Sequence, residues 1–401
     1  MDPIRNPFVP GAGTPPPELT GRAELLDRAR ITLARIKLGR SSKSFIAVGL
    51  RGVGKTVLLS RVRQMAEEAG YRICGIEAHE QKSLPELLVP HLRRVLLELD
   101  RLGALSEQVK RGLRVLKSFM SSVKLTYGDA ALALDIDGER GAADSGDIEA
   151  DLPELLRAVG QAAAARNAAV VLVIDELQYL SERDMSALIM GLHRVAQDNL
   201  PMVLVAAGLP QVVGLTGRSK SYAERLFDFP LVDALAPADA ARALAEPARS
   251  EGVEFAPAAL DRIVEVTRGY PYFLQEWGYH TWNRAGSSPI TEADVGAASP
   301  TAIRALDESF FRVRLDRLTP RERDYLRAMS ELGPGPHRSS DISEALGLSV
   351  TSAGPLRSGL IGKGMIYSPA HGDTAFTVPL FDQFMRRTIP APPAKARPRS
   401  A

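Results

Sequence analysis

From residue 19 onward, short apolar runs alternate with longer stretches whose apolar residues recur every three or four positions. The runs at 45–48, 72–77, 169–174 and 201–207 are too short for helices and rich in Val and Ile, so they are predicted as strands, with 229–232 as a candidate last one. The run at 169–174 is apolar at every position, which suits a parallel strand covered on both faces. Between the runs, helices are predicted at 23–36, 55–69, 151–165 and 182–199. Such alternation predicts a parallel sheet with helices on both sides.

The rhythm breaks in one place. Residues 83–118 read as mostly helical, with Leu87, Leu88, His91, Leu92, Val95 and Leu96 on one stripe and Pro90 expected to kink or divide the stretch. Residues 122–127 and 131–136 alternate polar and apolar around Gly128-Asp129, a hairpin signal. A polar, acidic loop follows at 137–149. The 122–149 segment reads as an insertion into the 19–235 core.

From Pro237 the pattern is helical only, at 237–246, 257–268 and 272–285. The first two helices open with proline, which suits a first turn, and Pro247 is expected to end or bend the first. A small helical domain is therefore expected over 236–300. Residues 301–390 form a third unit. Thr319-Pro320-Arg321-Glu322 has the pattern of a capped helix start. Helices are expected at 321–332, 339–346 (with serine at its cap) and 350–362, the last with a late start or a kink at Gly354-Pro355. Two extended segments then flank 369–373. Helix, helix, turn, helix and two-stranded wing is the order of a winged helix-turn-helix. Residues 1–18, with Pro15-Pro16-Pro17, read as an extended lead-in, and 391–401 as a disordered basic tail.

Composition narrows the function classes. The 401 residues carry 50 basic and 48 acidic side chains, a net charge of +2, so any nucleic-acid surface must be local. The single cysteine, Cys74, excludes an internal disulfide and sits in a strand, where an inert thiol is expected. The six histidines are scattered, so neither a Cys/His metal cluster nor a Ser/His/Asp constellation has support. The N-terminal residues lack the apolar core of a signal peptide, and no uncharged run reaches membrane-spanning length. A cytoplasmic protein without membrane contact is expected.

The first strand ends in Gly49-Leu50-Arg51-Gly52-Val53-Gly54-Lys55-Thr56-Val57, which has the full G-x-x-x-x-G-K-T phosphate-loop pattern. A triphosphate needs several backbone N–H donors, and glycines let the main chain approach it at a helix N-terminus, where anions are favoured. Lys55 supplies a positive charge for the β- and γ-phosphates, and Thr56 a hydroxyl for Mg²⁺. The 169–174 strand ends in Asp175-Glu176. Asp175 is expected to hold the magnesium, and Glu176 to orient and deprotonate the attacking water. Both motifs sit at strand C-termini, the edge where open α/β sheets bind ligands.

With these motifs the chain resembles an AAA+-type P-loop ATPase of the branch that includes archaeal-type ATPases, origin-recognition-like initiators and STAND signalling ATPases. The resemblance implies an α/β P-loop NTPase fold with a helical lid and a C-terminal winged helix, and ATP with Mg²⁺ as cofactors. Phe8-Val9-Pro10 and Leu19-Thr20-Gly21-Arg22 resemble the segment these proteins wrap near the adenine. Gly269-Tyr270-Pro271 resembles a lid motif whose proline, here Pro271, lies against the base. Arg225 stands where relatives present an arginine finger to a neighbouring subunit, which implies self-association; a surface ion pair with Glu224 or Asp228 is the alternative. Arg268 is either a lid arginine or a helix-end charge. One departure is plain: the strand at 201–207 ends in Ala206-Ala207-Gly208-Leu209, where the family carries a polar sensor, and the nearest polar residue is Gln211.

The resemblance implies a nucleotide-dependent switch acting on double-stranded DNA through the winged helix, with Arg338, Arg357 and Lys363 as the candidate contacts and His371 on the wing. The alternative is a STAND-like scaffold whose winged helix docks a protein.

Overall fold

Five strands, each too short to be anything but a sheet element in this apolar company, form a parallel sheet: β1 (Ser44–Val48), β2 (Arg72–Glu77), β3 (Val170–Asp175), β4 (Met202–Gly208) and β5 (Phe227–Asp228). Their order is β2-β3-β4-β1-β5. Every residue of β1 and β4 is buried, as continuous apolar runs between two helical layers must be. The computed structural model describes residues 1–11, 19–100, 106–123 and 137–390. The expected hairpin strands at 124–127 and 131–136, the Pro15-Pro16-Pro17 lead-in and the 391–401 tail lie outside the described residues; Ser122 itself ends a helix.

The chain divides into two units. One comprises Arg22–Gly49 and Lys55–Val232 and contains the sheet. Its helices are Ala23–Lys37, Lys55–Glu68, Leu84–Asp100, Glu107–Ser122, Ile148–Ala164, Glu182–Gln197, Gln211–Ser219 and the single turn Ala223–Leu226. Three expectations need correction. The Leu84–Asp100 helix runs through Pro90 without dividing, because its stripe of Leu88, Leu92, Val95, Leu96 and Leu99 is fully buried and outweighs one lost backbone bond. The last strand lies two residues earlier than read, and only an isolated bridge from Val48 to Leu231 extends it. The Gln211–Ser219 helix was not foreseen.

The register places the functional edge. Val48 pairs with Gly208 and Ile174 with Ala206, so β1, β3 and β4 end side by side. Gly49 N donates to Gly208 O at 3.2 Å. Cys74 is fully buried, and desolvation pushes its thiol up to about 12, so it is chemically quiet.

The other unit comprises Met1–Gly21, Leu50–Gly54 and Asp233–Ala401. Its helices Pro237–Ser250, Pro257–Thr267 and Pro271–Arg284 all begin with proline. The first continues through Pro247 rather than stopping there, since Pro247 is itself buried on the packed face. A fourth helix, Glu292–Ala305, is started by a capping box between Thr291 and Asp294. It passes through residue 300, the expected domain boundary, and runs on through a π-helical turn, Leu306–Phe311, to Leu315. The N-terminal residues are anchored here. Phe8 is buried against Phe255 and Trp282, and Trp282 Nε1 donates to Asp2 O at 2.9 Å. A Cβ on Gly278 would sit 2.6 Å from the Phe8 ring, so that glycine makes room for the anchor.

The C-terminal part has helices Pro320–Glu331, Ser339–Leu346, Val350–Gly362 and Phe381–Thr388, and strands β6 (His337–Arg338), β7 (Ile366–Tyr367) and β8 (Asp373–Phe376) in antiparallel order β6-β8-β7. The Thr319 cap forms as expected: Thr319 N donates to Glu322 Oε2 at 2.7 Å, and Glu322 N donates to Thr319 Oγ1. Arg338, not a serine, precedes the Ser339–Leu346 helix. The Val350–Gly362 helix has Ser349 as its cap and contains Pro355 without a late start.

Candidate nucleotide site

The phosphate-loop motif lies between β1 and the Lys55–Glu68 helix. Gly52 and Gly54 have φ of +81° and +90°, conformations that a side chain would strain, so these two glycines are backbone requirements. Val53 is fully buried, and Leu50 and Arg51 are half-buried; Arg51 is therefore less solvent-facing than its charge suggests. Lys55 is 7% exposed, and its Nζ donates to Gly49 O at 3.0 Å. Val57 follows Thr56 in the first turn of the helix.

The second motif meets the first directly. Thr56 Oγ1 donates to Asp175 Oδ2 at 2.6 Å, and Glu176 N donates to Asp175 Oδ1 at 2.8 Å. Burial raises the Asp175 carboxyl above its ordinary range, against the lowering pull of the Thr56 and Glu176 hydrogen bonds. A dication would relieve that desolvation, and an adjacent hydroxyl and carboxylate are the hard oxygen donors that Mg²⁺ prefers, so the residues fit this metal. No group of three or more His, Cys, Asp or Glu able to hold a metal occurs among the described residues. The remaining ligands of a bound Mg²⁺ would thus come from phosphate and water, as is usual for that ion.

Glu176 has φ 53° and ψ 39°, in the left-handed region, which is uncommon for a residue with a Cβ. The backbone turns there into a short 3₁₀ segment, Leu177–Tyr179. Gln178 on that segment donates from Nε2 to Glu176 Oε2, and its Oε1 accepts from Leu209 N at 2.9 Å. Gln178 is not among the residues that the sequence singles out. Its signal there is a polar residue two places after Glu176, whereas the family pattern points to the end of β4 and Gln211.

Arg225 lies exposed in the Ala223–Leu226 turn. Asp228 is taken by Arg28 at 2.8 Å, and among the described residues no carboxylate forms an ion pair with Arg225. Pro271 occupies the first turn of its helix, after Gly269 at φ +71°. A Cβ on Gly269 would lie 2.4 Å from Leu235 O, so only glycine permits that approach. Arg268 is exposed at the helix end with φ +52°. Phe273, Trp277 and Trp282 of this helix are buried.

The candidate DNA residues are engaged within the C-terminal part. Arg357 donates to Thr374 Oγ1 (2.9 Å), Ser368 Oγ (2.9 Å) and Asp373 O (3.0 Å). Lys363 Nζ donates to Glu322 Oε2 at 2.7 Å and to Arg317 O. Arg338 pairs with Asp373 at 3.5 Å but stays largely exposed. Hydrogen bonds from a charged group contribute about 1.5–3 kcal/mol each when partners are lost. Arg357→Ala is therefore expected to destabilise the protein by at least about 2 kcal/mol, read as a lowered denaturation midpoint, whether or not DNA binds.

The chain is similar to several known proteins. Residues 18–205 match the family model of the AAA ATPase domain, and residues 308–385 match a domain of unknown function (DUF8462). Among solved structures, a Walker-type ATPase of Pyrococcus abyssi is similar over 93% of this chain and 97% of its own, at 19% identity and a TM-score of 0.58. Orc1 of Aeropyrum pernix, solved in complex with DNA, is 16% identical over 96% of each chain with a TM-score of 0.46. The Thermotoga maritima RuvB Holliday junction branch migration motor is 16% identical over 89% of this chain and 92% of its own, with a TM-score of 0.43. No curated protein matches. No helix among the described residues is long and apolar enough to cross a membrane.

Proposed function

We propose that this chain, an AAA+ P-loop ATPase by its residues 18–205, binds and hydrolyses ATP and uses the cycle as a switch. The observation that carries the reading is the unbroken line from Thr56 through Asp175 to Glu176 and Gln178 at the ends of β3 and β4. Lys55 would move from Gly49 O to the phosphates. Thr56 and Asp175 would hold Mg²⁺, which when bound supplies charge neutralisation at the transferred phosphoryl group. Glu176 would take the proton of the attacking water. Arg225, exposed and outside any described ion pair, is suited to reach the site of a second copy.

The C-terminal helices and the β6–β8 sheet are read as a winged helix. The resemblance implies duplex DNA as its partner. A protein partner is favoured instead by one observation: Arg357 and Lys363 spend their donors inside the unit. The helix that would enter a major groove opens on exposed Leu348 and Val350 instead, and phosphate contacts need free cations.

The test is the ATPase rate with and without duplex DNA, across protein concentration. Hydrolysis is expected to be insensitive to DNA, with a specific rate that rises with concentration and loses that rise in Arg225→Ala. DNA retention that falls steeply with salt would restore the DNA reading, because each neutralised phosphate releases counterions. A flat rate would remove Arg225 from the site.

A further inference from the structure

We propose that Gln178 is the positioning residue of the hydrolytic step, its amide tying the end of β4 to the Glu176 carboxylate in place of a polar side chain on the strand itself. This inference rests on the ATPase reading above. The strand end has no polar side chain of its own to aim at the site, since Ala206, Ala207 and Gly208 are buried and lack polar side-chain atoms.

Gln178 is held at both ends by groups that permit one orientation only. Leu209 N is a donor, so it must meet the amide oxygen; the Glu176 carboxylate is an acceptor, so it must meet the amide nitrogen. The turn that carries Gln178 is fixed by buried Leu177 and by Tyr179 N donating to Glu176 O at 3.0 Å. Gly208 leaves room for the bridge: a Cβ there would lie 3.0 Å from Gln178 Oε1. Glu176 lies in the left-handed region, and its carboxylate is aimed by an amide that is itself fixed to the neighbouring strand end. Asparagine is one methylene too short to span both partners. Glutamate has the length but donates nothing and adds a charge.

The experiment is steady-state ATPase kinetics of the full chain carrying Gln178→Ala, Gln178→Asn or Gln178→Glu, with titration of a fluorescent ATP analogue in parallel. Misplacing a reacting group by about 1 Å costs up to roughly 100-fold. Gln178→Ala and Gln178→Asn are therefore expected to lower kcat by about 10- to 100-fold, with KM and analogue affinity within about twofold of wild type. Gln178→Glu keeps the length but cannot donate to the Glu176 carboxylate, so it is expected to lower kcat as Gln178→Ala does, with analogue affinity retained. A purely structural role would lower analogue binding along with kcat. Unchanged kcat in Gln178→Ala overturns the proposal, as does a kcat loss matched by an equal loss of analogue binding. Should Gln178→Ala fail to fold, Gly208→Ala crowds the amide from the other side. It is expected to lower kcat several-fold with binding retained, and an unchanged kcat there overturns the proposal too. Failure of the ATPase reading looks different: the wild-type chain would then bind no analogue, or bind it equally well as Lys55→Ala, whatever the Gln178 variants did.

Discussion

Lys55→Ala is expected to weaken ATP binding by about 100-fold or more and to remove measurable hydrolysis. Truncating one member of a close, desolvated charge pair costs roughly 2–5 kcal/mol, and each 1.4 kcal/mol is a factor of ten. Lys55 is buried at the start of its helix, with Gly49 O as the recipient of its Nζ. The same truncation removes the Gly49 bond of a charged donor, so the free protein should lose about 1.5–3 kcal/mol of stability. Isothermal titration with ATP and Mg²⁺, run beside a denaturation curve, separates the two effects. An affinity within a few-fold of wild type would remove the loop from nucleotide binding. Arginine is not expected to rescue the site, because its planar fork and greater bulk do not replace a compact ammonium.

Where a function is written in contiguous residues, the sequence displayed it. β2 lies at 72–77 as read, and β1 and β3 are within a residue of expectation, because continuous apolar runs bounded by turn residues leave little alternative. Gly52, Gly54, Lys55 and Thr56 sit next to one another, so their chemistry is local. The cap at Thr319 was legible for the same reason. What sequence did not disclose depends on packing or on distant partners. Pro90 was expected to kink or divide its helix and Pro247 to end or bend its own, and both helices continue through the proline, with buried residues on either side of it. The Glu292–Ala305 helix was not placed from the sequence, because it has Gly296 and Pro300 in place of a clear apolar stripe. Gln178 was hidden because its importance arises from Leu209, thirty-one residues away. Arg357 read as a surface cation, and only its bonds to β8 and Ser368 reveal where its donors go.

Glu176→Gln is expected to separate the two halves of the cycle, binding ATP as tightly as the wild type while hydrolysing it about 10²- to 10⁴-fold more slowly, the range lost with a positioned general base. The substitution changes little except the base. An amide has the same length and shape, and its oxygen still accepts from Gln178 Nε2, so the turn at Leu177–Tyr179 and the left-handed backbone at position 176 keep their supports. Asp175 keeps its bonds from Thr56 Oγ1 and from the backbone N–H of residue 176, so the metal-holding pair is undisturbed. What disappears is the ability to accept a proton from water. Single-turnover hydrolysis beside analogue titration measures both quantities on one preparation. A rate within about tenfold of wild type would mean that Glu176 is not the base. A parallel loss of binding would mean that the carboxylate acts on nucleotide itself, and the assignment of Asp175 and Glu176 to separate roles would fail with it.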